Sequence, residues 1–401
     1  MKIVHAITCL LRAGAEENTI QTCNAQAALG HETVLVYGRE VDAATLAKVS
    51  PAVRTVQVDR MVRPISPLDD MMAVGQLVRT FRALQPDVVH THNSKAGFLG
   101  RLAARLAGVR IIIHGVHILP FLNVSRPRRF MYLAMEKMVA PVTDAFIAVS
   151  KGMRDANLAA GLGSDANNHV VYSGMNVAQF QTARPIALPR QEGTLIALTA
   201  SLEPRKRHSE FLDVFAALKA RHPELHLALL GQGALEDGLK AKAAELGLSD
   251  AVHFLGFRED VERWIAAADI CVLPSMREGL PRVVVQYVAA GKPVVVTQLP
   301  GLEEIVEDGV NGFVVASGAV EDMLAPLDQL LSDAGLAARM SAAAAARDVS
   351  RWSAERMAPE IGKIILPIAE RKGILDDAVR PVSSDPAEPL PSAPNQANPQ
   401  T

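Results

Sequence analysis

The sequence predicts two doubly wound parallel α/β domains facing each other across a cleft, and three observations lead there. Short Val- and Ile-rich runs, apolar on both faces, recur along the chain. Helical stretches separate nearly all of them. The series is interrupted once, near the middle, and then begins again. Runs apolar on both faces are the mark of buried parallel strands, and regular strand–helix alternation is how doubly wound sheets are built.

In the first half the predicted strands are Ile3–Ile7, Thr33–Tyr37, Val53–Val58, Val88–Thr91, Arg110–Val116, Ala145–Val149 and Val170–Ser173. Helix candidates lie between them at Asn18–Leu29, Asp69–Leu84, Gly97–Ala107 and Arg128–Ala140. The break falls at Gln179–Gly193, where Pro185 and Pro189 disrupt both periodicities. The second series has strands at Leu195–Ala200, Leu225–Leu230, Val252–Leu255, Ile270–Leu273, Pro293–Thr297 and Phe313–Val315. The expected domains are therefore residues 1–180 and 190–345. A helical segment over 346–372 would cross back to the first domain. Met340–Ile368 reads as one helical stretch around Trp352. The tail 382–401, rich in Pro, Ser, Ala, Asn and Gln, is expected to be disordered.

Bulk properties narrow the function. At 401 residues the chain is too long for one ordinary core. With 49% hydrophobic and 21% charged residues it has the composition of a well-buried globular enzyme. No run approaches the ~18 apolar residues of a membrane helix, and the N-terminus turns polar too soon for a signal peptide. Cys9, Cys23 and Cys271 are odd in number and form no C-x-x-C pair, which speaks for a reducing compartment and against a zinc site. Charge is uneven. Residues 1–180 hold 19 Lys and Arg against 13 Asp and Glu, and residues 181–401 hold 22 against 30. The halves therefore carry about +6 and −8, which suits unequal partners.

Doubly wound sheets bind ligands outside their strand C-termini, so the loops there are the places to seek chemistry. The richest runs from Pro274 to Pro293. A buried strand ends, a loop carries Glu278, Gly279 and Leu280, a helix starts near Pro281, and Gly291 ends it. A helix N-terminus with unpaired N–H groups is a ready anion site. Glu278 and Gln286 would be on the order of 10 Å apart along that helix. One could hold a sugar and the other a ribose, with a diphosphate between. Arg205, Lys206 and Arg207 follow the first strand of the second domain. Three adjacent cations are costly to cluster without an anion. Gly14 and Ala15 form a small-residue turn between the first strand and its helix. His92, Lys95 and His117 follow other strands and face the expected cleft.

These residues carry a resemblance. The Glu278-Gly279-Leu280 start and the Ala289-Ala290-Gly291-Lys292-Pro293-Val294 ending are similar to the signature of the retaining glycosyltransferases of family 4, which have the GT-B fold. So are Pro300–Val315, Ala13–Thr19 and His90–Gly97, in the family's order, and the resemblance covers roughly residues 1–365. It implies that Glu278 binds the donor hexose and that the backbone at Gly279 and Leu280 meets the distal phosphate. It further implies that Lys206 clamps the diphosphate and that His117 lies near the anomeric carbon. The chain departs from the pattern twice. Gln286 stands where a second Glu normally holds the ribose, and Ser201 stands where an Arg normally precedes Lys206. Arg205 or Arg207 would have to supply that charge.

The implied activity is hexosyl transfer from a nucleoside-diphosphate sugar to a glycan or lipid-linked acceptor, with retention, as in cell-surface polysaccharide or glycolipid synthesis. The nucleotide sugar is a co-substrate, and no cofactor, metal or nucleic acid is expected. The alternatives are a nucleotide-sugar epimerase of the same fold or a non-catalytic nucleotide-sugar-binding subunit. Residues 121–132 place Arg126, Arg128 and Arg129 beside Phe121, Leu122, Phe130, Met131 and Tyr132. This favours a cytoplasmic enzyme docked on an anionic inner membrane face.

Overall fold

The computed structural model describes residues 1–122, 124–186 and 193–374. The expected disordered tail and Pro189 lie outside them. The first domain holds β1 (Lys2–Ile7), β2 (Glu32–Tyr37), β3 (Arg54–Gln57), β4 (Val88–His92), β5 (Ile111–Val116), β6 (Ala145–Ala148) and β7 (Asn168–Val170). The second holds β8 (Thr194–Thr199), β9 (Leu225–Leu230), β10 (Val252–Phe254), β11 (Ile270–Leu273), β12 (Val294–Thr297) and β13 (Gly312–Val315). The sheets run β3-β2-β1-β4-β5-β6-β7 and β10-β9-β8-β11-β12-β13, and all of these pairings are parallel. Strand order reverses between β1 and β4, and again between β8 and β11. Those two switch points are where doubly wound sheets open a ligand crevice.

The central strands are wholly buried, with β4, β5, β11 and β12 covered on both faces. That is why they appear in the sequence as unbroken apolar runs. One buried apolar cluster is common to both domains. It joins Val116, Phe146 and Met175 of the first to Leu273, Leu280 and Val284 of the second. Backbones also meet closely along this seam. A Cβ on Gly152 would lie 2.3 Å from the amide nitrogen of Gly301, so only glycine fits there.

Two segments differ from the sequence expectation. The last strand of the first sheet is Asn168–Val170, paired with Phe146–Ala148, rather than Val170–Ser173. Beyond Val171 the chain turns to the cleft, where the Ser173 hydroxyl accepts from Asn18 and Arg282 (both 2.7 Å). Met340–Ile368 is not one helix. Helices Ala334–Ala345 and Ala354–Arg371 flank a short 3-10 turn at Ser350–Trp352. In the turn beyond the first helix Asp348 accepts from the Ser350 amide (2.9 Å), and Trp352 turns fully inward against Tyr172. The final helix then lays Met357, Ile361, Ile365 and Ile368 on Ile3, Val88, Ile111 and Ile113 of the first sheet. Their i, i+4 and i+7 spacing makes one continuous apolar stripe.

Candidate functional site

Three of the sequence-derived candidates converge. The Glu278 carboxylate receives Lys206 Nζ on one oxygen and Arg205 Nη1 on the other at 3.2 Å. Arg205 also donates to Glu203 (2.9 Å) and to the Arg277 carbonyl (3.2 Å). Burial by itself would raise the Glu278 carboxyl, but the Lys206 and Arg205 charges outweigh it and hold it below the usual carboxylate range. Glu278 is thus an anion near neutral pH, locked between two cations. Arg205 reaches this cluster although Ser201 stands at the position of the family's Arg. Arg207 does not: it sits in the left-handed backbone region (φ 57°) and turns away to Glu210 and the Gly318 carbonyl. The three-cation cluster read from sequence is therefore two cations and one helix-capping arginine.

Gly279 follows in the same loop. A Cβ there would lie 1.6 Å from the His117 carbonyl oxygen. Its smallness first serves contact between the two domains and brings the Glu278 loop onto His117. Leu280 is buried in the shared core, so only its backbone is available to a ligand. The helix that follows is Arg282–Ala289.

Arg282 is a residue that sequence reasoning missed. It donates to Ser173 Oγ (2.7 Å), the Gly174 carbonyl (3.0 Å) and Glu17 (3.3 Å), tying the second domain to the first. Burial lowers its guanidinium pKa, with Glu17 opposing. A Cβ on Gly14 would meet the Arg282 stem at 2.9 Å, so Gly14 makes room for this arginine as well as for any ligand. Gly14 and Ala15 open the helix Gly14–Ala28, whose first amides carry no side-chain cap. Gly14, Glu17, Asn176, Phe257, Arg282 and Gln286 line one cleft of about 750 Å³, a size that suits a small-molecule ligand. Arg12 stacks over the Phe257 ring at 4.7 Å across the same opening.

Two candidates are placed differently from expectation. Lys95 pairs with Asp70 (2.5 Å) and donates to the Pro64 carbonyl, so its charge is spent within its own domain. His92 is fully buried. It lies behind His117, bonded to it through Nδ1···Nε2 at 2.9 Å. Burial, then Arg282, brings the His117 pKa down to about 4, so its ring is neutral at pH 7. Behind His92 stand His5 and His90, whose ring nitrogens cluster with those of His92. No sequence spacing announced this group, because His5 and His90 become neighbours only through the β1–β4 register. Asn93, next in the chain, has φ 61° and ψ 169°, a conformation costing of order 1–3 kcal/mol for a non-glycine residue and concentrated at functional sites. Among the described residues no helix is long and apolar enough to cross a membrane.

Comparison with known proteins fits this geometry. Residues 12–179 match the family model Glycosyltransferase Family 4, and residues 179–347 match Glycosyl transferases group 1. EpsD of Bacillus subtilis (strain 168), whose name places it with the glycosyltransferases, is 30% identical over 284 residues, 66% of this chain and 73% of that protein. The UDP-Gal:alpha-D-GlcNAc-diphosphoundecaprenol alpha-1,3-galactosyltransferase of Escherichia coli is 26% identical over 293 residues, 70% and 76% of the two chains. In fold, Anabaena Alr3699/HepE in complex with UDP-glucose superposes with a TM-score of 0.73 at 22% identity, over 92% of this chain and all of that one. Sucrose-phosphate synthase from Thermosynechococcus elongatus gives 0.77 at 18%, with the same coverage. With these matches and its two facing parallel-sheet domains, the chain belongs to glycosyltransferase family 4 and has the GT-B fold.

Proposed function

We propose that this protein is a retaining hexosyltransferase that moves a sugar from a uridine-diphosphate hexose to a lipid-linked glycan in cell-surface polysaccharide or glycolipid synthesis. The observation that carries the reading is the Lys206–Glu278–Arg205 cluster, half-buried around a buried Lys206, beside His117. An arriving diphosphate competes for the two cations and frees the Glu278 carboxylate to accept from hydroxyls of the hexose. The leaving diphosphate is then stabilised by fixed positive charge in a site shielded from water, where such stabilisation is strongest. Cations in place before the reaction also make a divalent metal unnecessary. Gln286 and the open N-terminus of the Gly14–Ala28 helix face the cleft that takes the nucleotide. Gln286 can accept from one ribose hydroxyl and donate to another.

The choice of donor and acceptor rests on the Escherichia coli relative, which uses UDP-Gal and a diphosphoundecaprenol acceptor by name. The membrane-facing surface differs in detail from the one read in the sequence. Phe121 is buried and Leu122 and Tyr132 are half-buried. Phe130 (77% exposed) stands out beside exposed Arg126, Arg128 and Arg129, and the same domain exposes Ile65, Leu68 and Met71. Apolar groups among cations are suited to the cytoplasmic face of an anionic bilayer. The test is transfer of label from a panel of UDP-hexoses to lipid extract, with the anomeric configuration of the product read by NMR. Labelled lipid of the donor's own anomeric configuration is expected. Labelled lipid of the opposite configuration would remove retention. No transfer from any donor, or conversion of the donor to its epimer, would remove the proposal.

A further inference from the structure

Behind the site lies a buried run of hydrogen bonds that the transfer reaction does not by itself require. It starts on the helix Gly14–Ala28, where Gln26 Oε1 faces His5 Nε2 at 2.7 Å. It continues from His5 Nδ1 to His92 Nε2 (2.9 Å) and from His92 Nδ1 to His117 Nε2 (2.9 Å). Gln26, His5 and His92 are all buried, whereas His117 is half-buried, and its Nδ1 has no partner among the described residues. The chain thus has one closed end in the core and one open end beside Gly279.

The closed end sets the direction. An amide oxygen only accepts, so His5 must carry its proton on Nε2 and offer a lone pair on Nδ1. His92 must then donate through Nε2 and accept at Nδ1. His117 must donate through Nε2, which leaves Nδ1 as a lone pair at the open end. Each neutral imidazole has one donor and one acceptor, so a single oxygen at the far end determines all three tautomers.

We infer that Gln26, His5 and His92 form a positioning relay that fixes the tautomer of His117, so that His117 Nδ1 accepts a hydrogen bond from a hydroxyl of the bound sugar. This rests on the hexosyltransferase reading above. All three rings are neutral at pH 7, since burial lowers His5 and His117 to about 4 and holds His92 well below the ordinary imidazole value. The space for the relay is also built in. A Cβ on Gly115 would lie 3.0 Å from both His117 Nε2 and His92 Nδ1 and 3.3 Å from His90 Nε2.

The competing use of these rings is a metal site on His5, His90 and His92. Two of its three members are already bonded to each other. The adjoining cavity measures about 10 Å³, at the lower bound for one water. No carboxylate among the described residues acts on these three rings, and the charges that act on their neighbours His117 and His114 are the cations Arg282 and Arg101. Glu17 and Glu136 are already paired with those arginines. A dication there would have no carboxylate to balance its charge. The two unbonded nitrogens of His90 are matched in size by that single-water cavity, which His90 lines.

The experiment combines ¹⁵N-histidine NMR with kinetics. With the His117 signals assigned through His117→Asn, the wild type is expected to show Nδ1 unprotonated and Nε2 protonated at pH 7. The opposite tautomer, or an even mixture, would overturn the relay. That readout needs no turnover, so it stands apart from any failure to find a donor. Gln26→Leu should lower kcat/KM by about twofold to tenfold, the span one net hydrogen bond provides, with Kd for UDP unchanged. Gln26→Glu restores an acceptor and should recover the rate at high pH. Its carboxylate also favours protonated His5, so the acid limb of the pH profile should move up by about one unit. The groups able to oppose that shift are His90, His114, Arg101 and Arg282. An equal loss in both variants with weakened UDP binding would mean that Gln26 only packs. One equivalent of metal resistant to EDTA would replace the relay with a metal site.

Discussion

Substituting Gly279 by alanine isolates the contact between the two domains. Gly279 is not one of the left-handed glycines, so alanine is conformationally acceptable there and the backbone of its own loop has no reason to object. The obstacle is the other domain. The new Cβ would lie 1.6 Å from the His117 carbonyl oxygen and 2.7 Å from its carbon. Ordinary carbon–oxygen contact needs about 3.3 Å, so the two loops must separate by ~1.5–2 Å. Both obstructing atoms are backbone, so no side chain can swing aside. A displacement of ~1 Å at a reacting centre is enough to lose about a hundredfold in rate, or ~2.7 kcal/mol of barrier. We therefore expect Gly279→Ala to reduce kcat/KM by about a hundredfold or more. The Lys206–Glu278–Arg205 cluster stays in place, so UDP should still bind within a few-fold of wild type. Steady-state kinetics with the active UDP-hexose, calorimetric titration of UDP and a melting curve separate these outcomes. Turnover within threefold of wild type would show that the His117–Gly279 approach is unimportant to transfer, and loss of UDP binding in step with rate would place the damage in the donor pocket instead.

Further outcomes follow from the same geometry. Glu278→Ala should abolish most turnover with the fold intact, while Lys206→Ala should weaken UDP more than it alters the choice of hexose; unchanged UDP affinity in the second variant would shift the clamp to Arg205. His5 and His117 bind protons at about 4 when folded and near 6.5 when unfolded. The unfolded chain therefore takes up more protons between those values, and stability should fall as pH drops from about 6.5 toward 4. His5→Asn should flatten that slope in urea titrations, and an identical slope in the variant would refute the assignment. Activity is expected to survive exhaustive EDTA treatment, because Lys206 and Arg205 supply the positive charge; restoration only by added Mg²⁺ or Mn²⁺ would contradict this. Flotation with anionic vesicles should weaken with salt and in the Arg126/Arg128/Arg129 triple Ala variant. Equal recovery on neutral vesicles would end the membrane-docking idea.

The joining of domains accounts for the distribution of unusual residues. Arg282, Gly279, Gly152 and Ser173 each belong to one domain and find their partners in the other. None has an obvious role within its own sheet. A cleft whose walls share an apolar cluster and a few directional contacts can hinge without exposing a large surface, which suits an enzyme that must order two substrates and exclude water.

What the sequence by itself determined is whatever depends on short-range pattern. Strands buried on both faces read as continuous Val and Ile runs, so all thirteen described strands were located, with only β7 displaced. The Glu278 loop was legible because a strand end, a small turn and a helix start are contiguous in the chain. The tertiary structure decided everything that depends on register and on which way a side chain turns. Arg205 and Arg207 are two residues apart, yet one meets Glu278 and the other caps a helix, because Arg207 occupies the left-handed region. Lys95 looked free until Asp70 arrived from a neighbouring helix. The histidine chain exists only because the parallel pairing of β1 with β4 brings His5 beside the strand that carries His92, and because Gly115 on β5 leaves room for His92 and His117. A hydrogen-bonded chain through residues 26, 5, 92 and 117 has no linear signature, since nothing local relates those positions before the sheet forms.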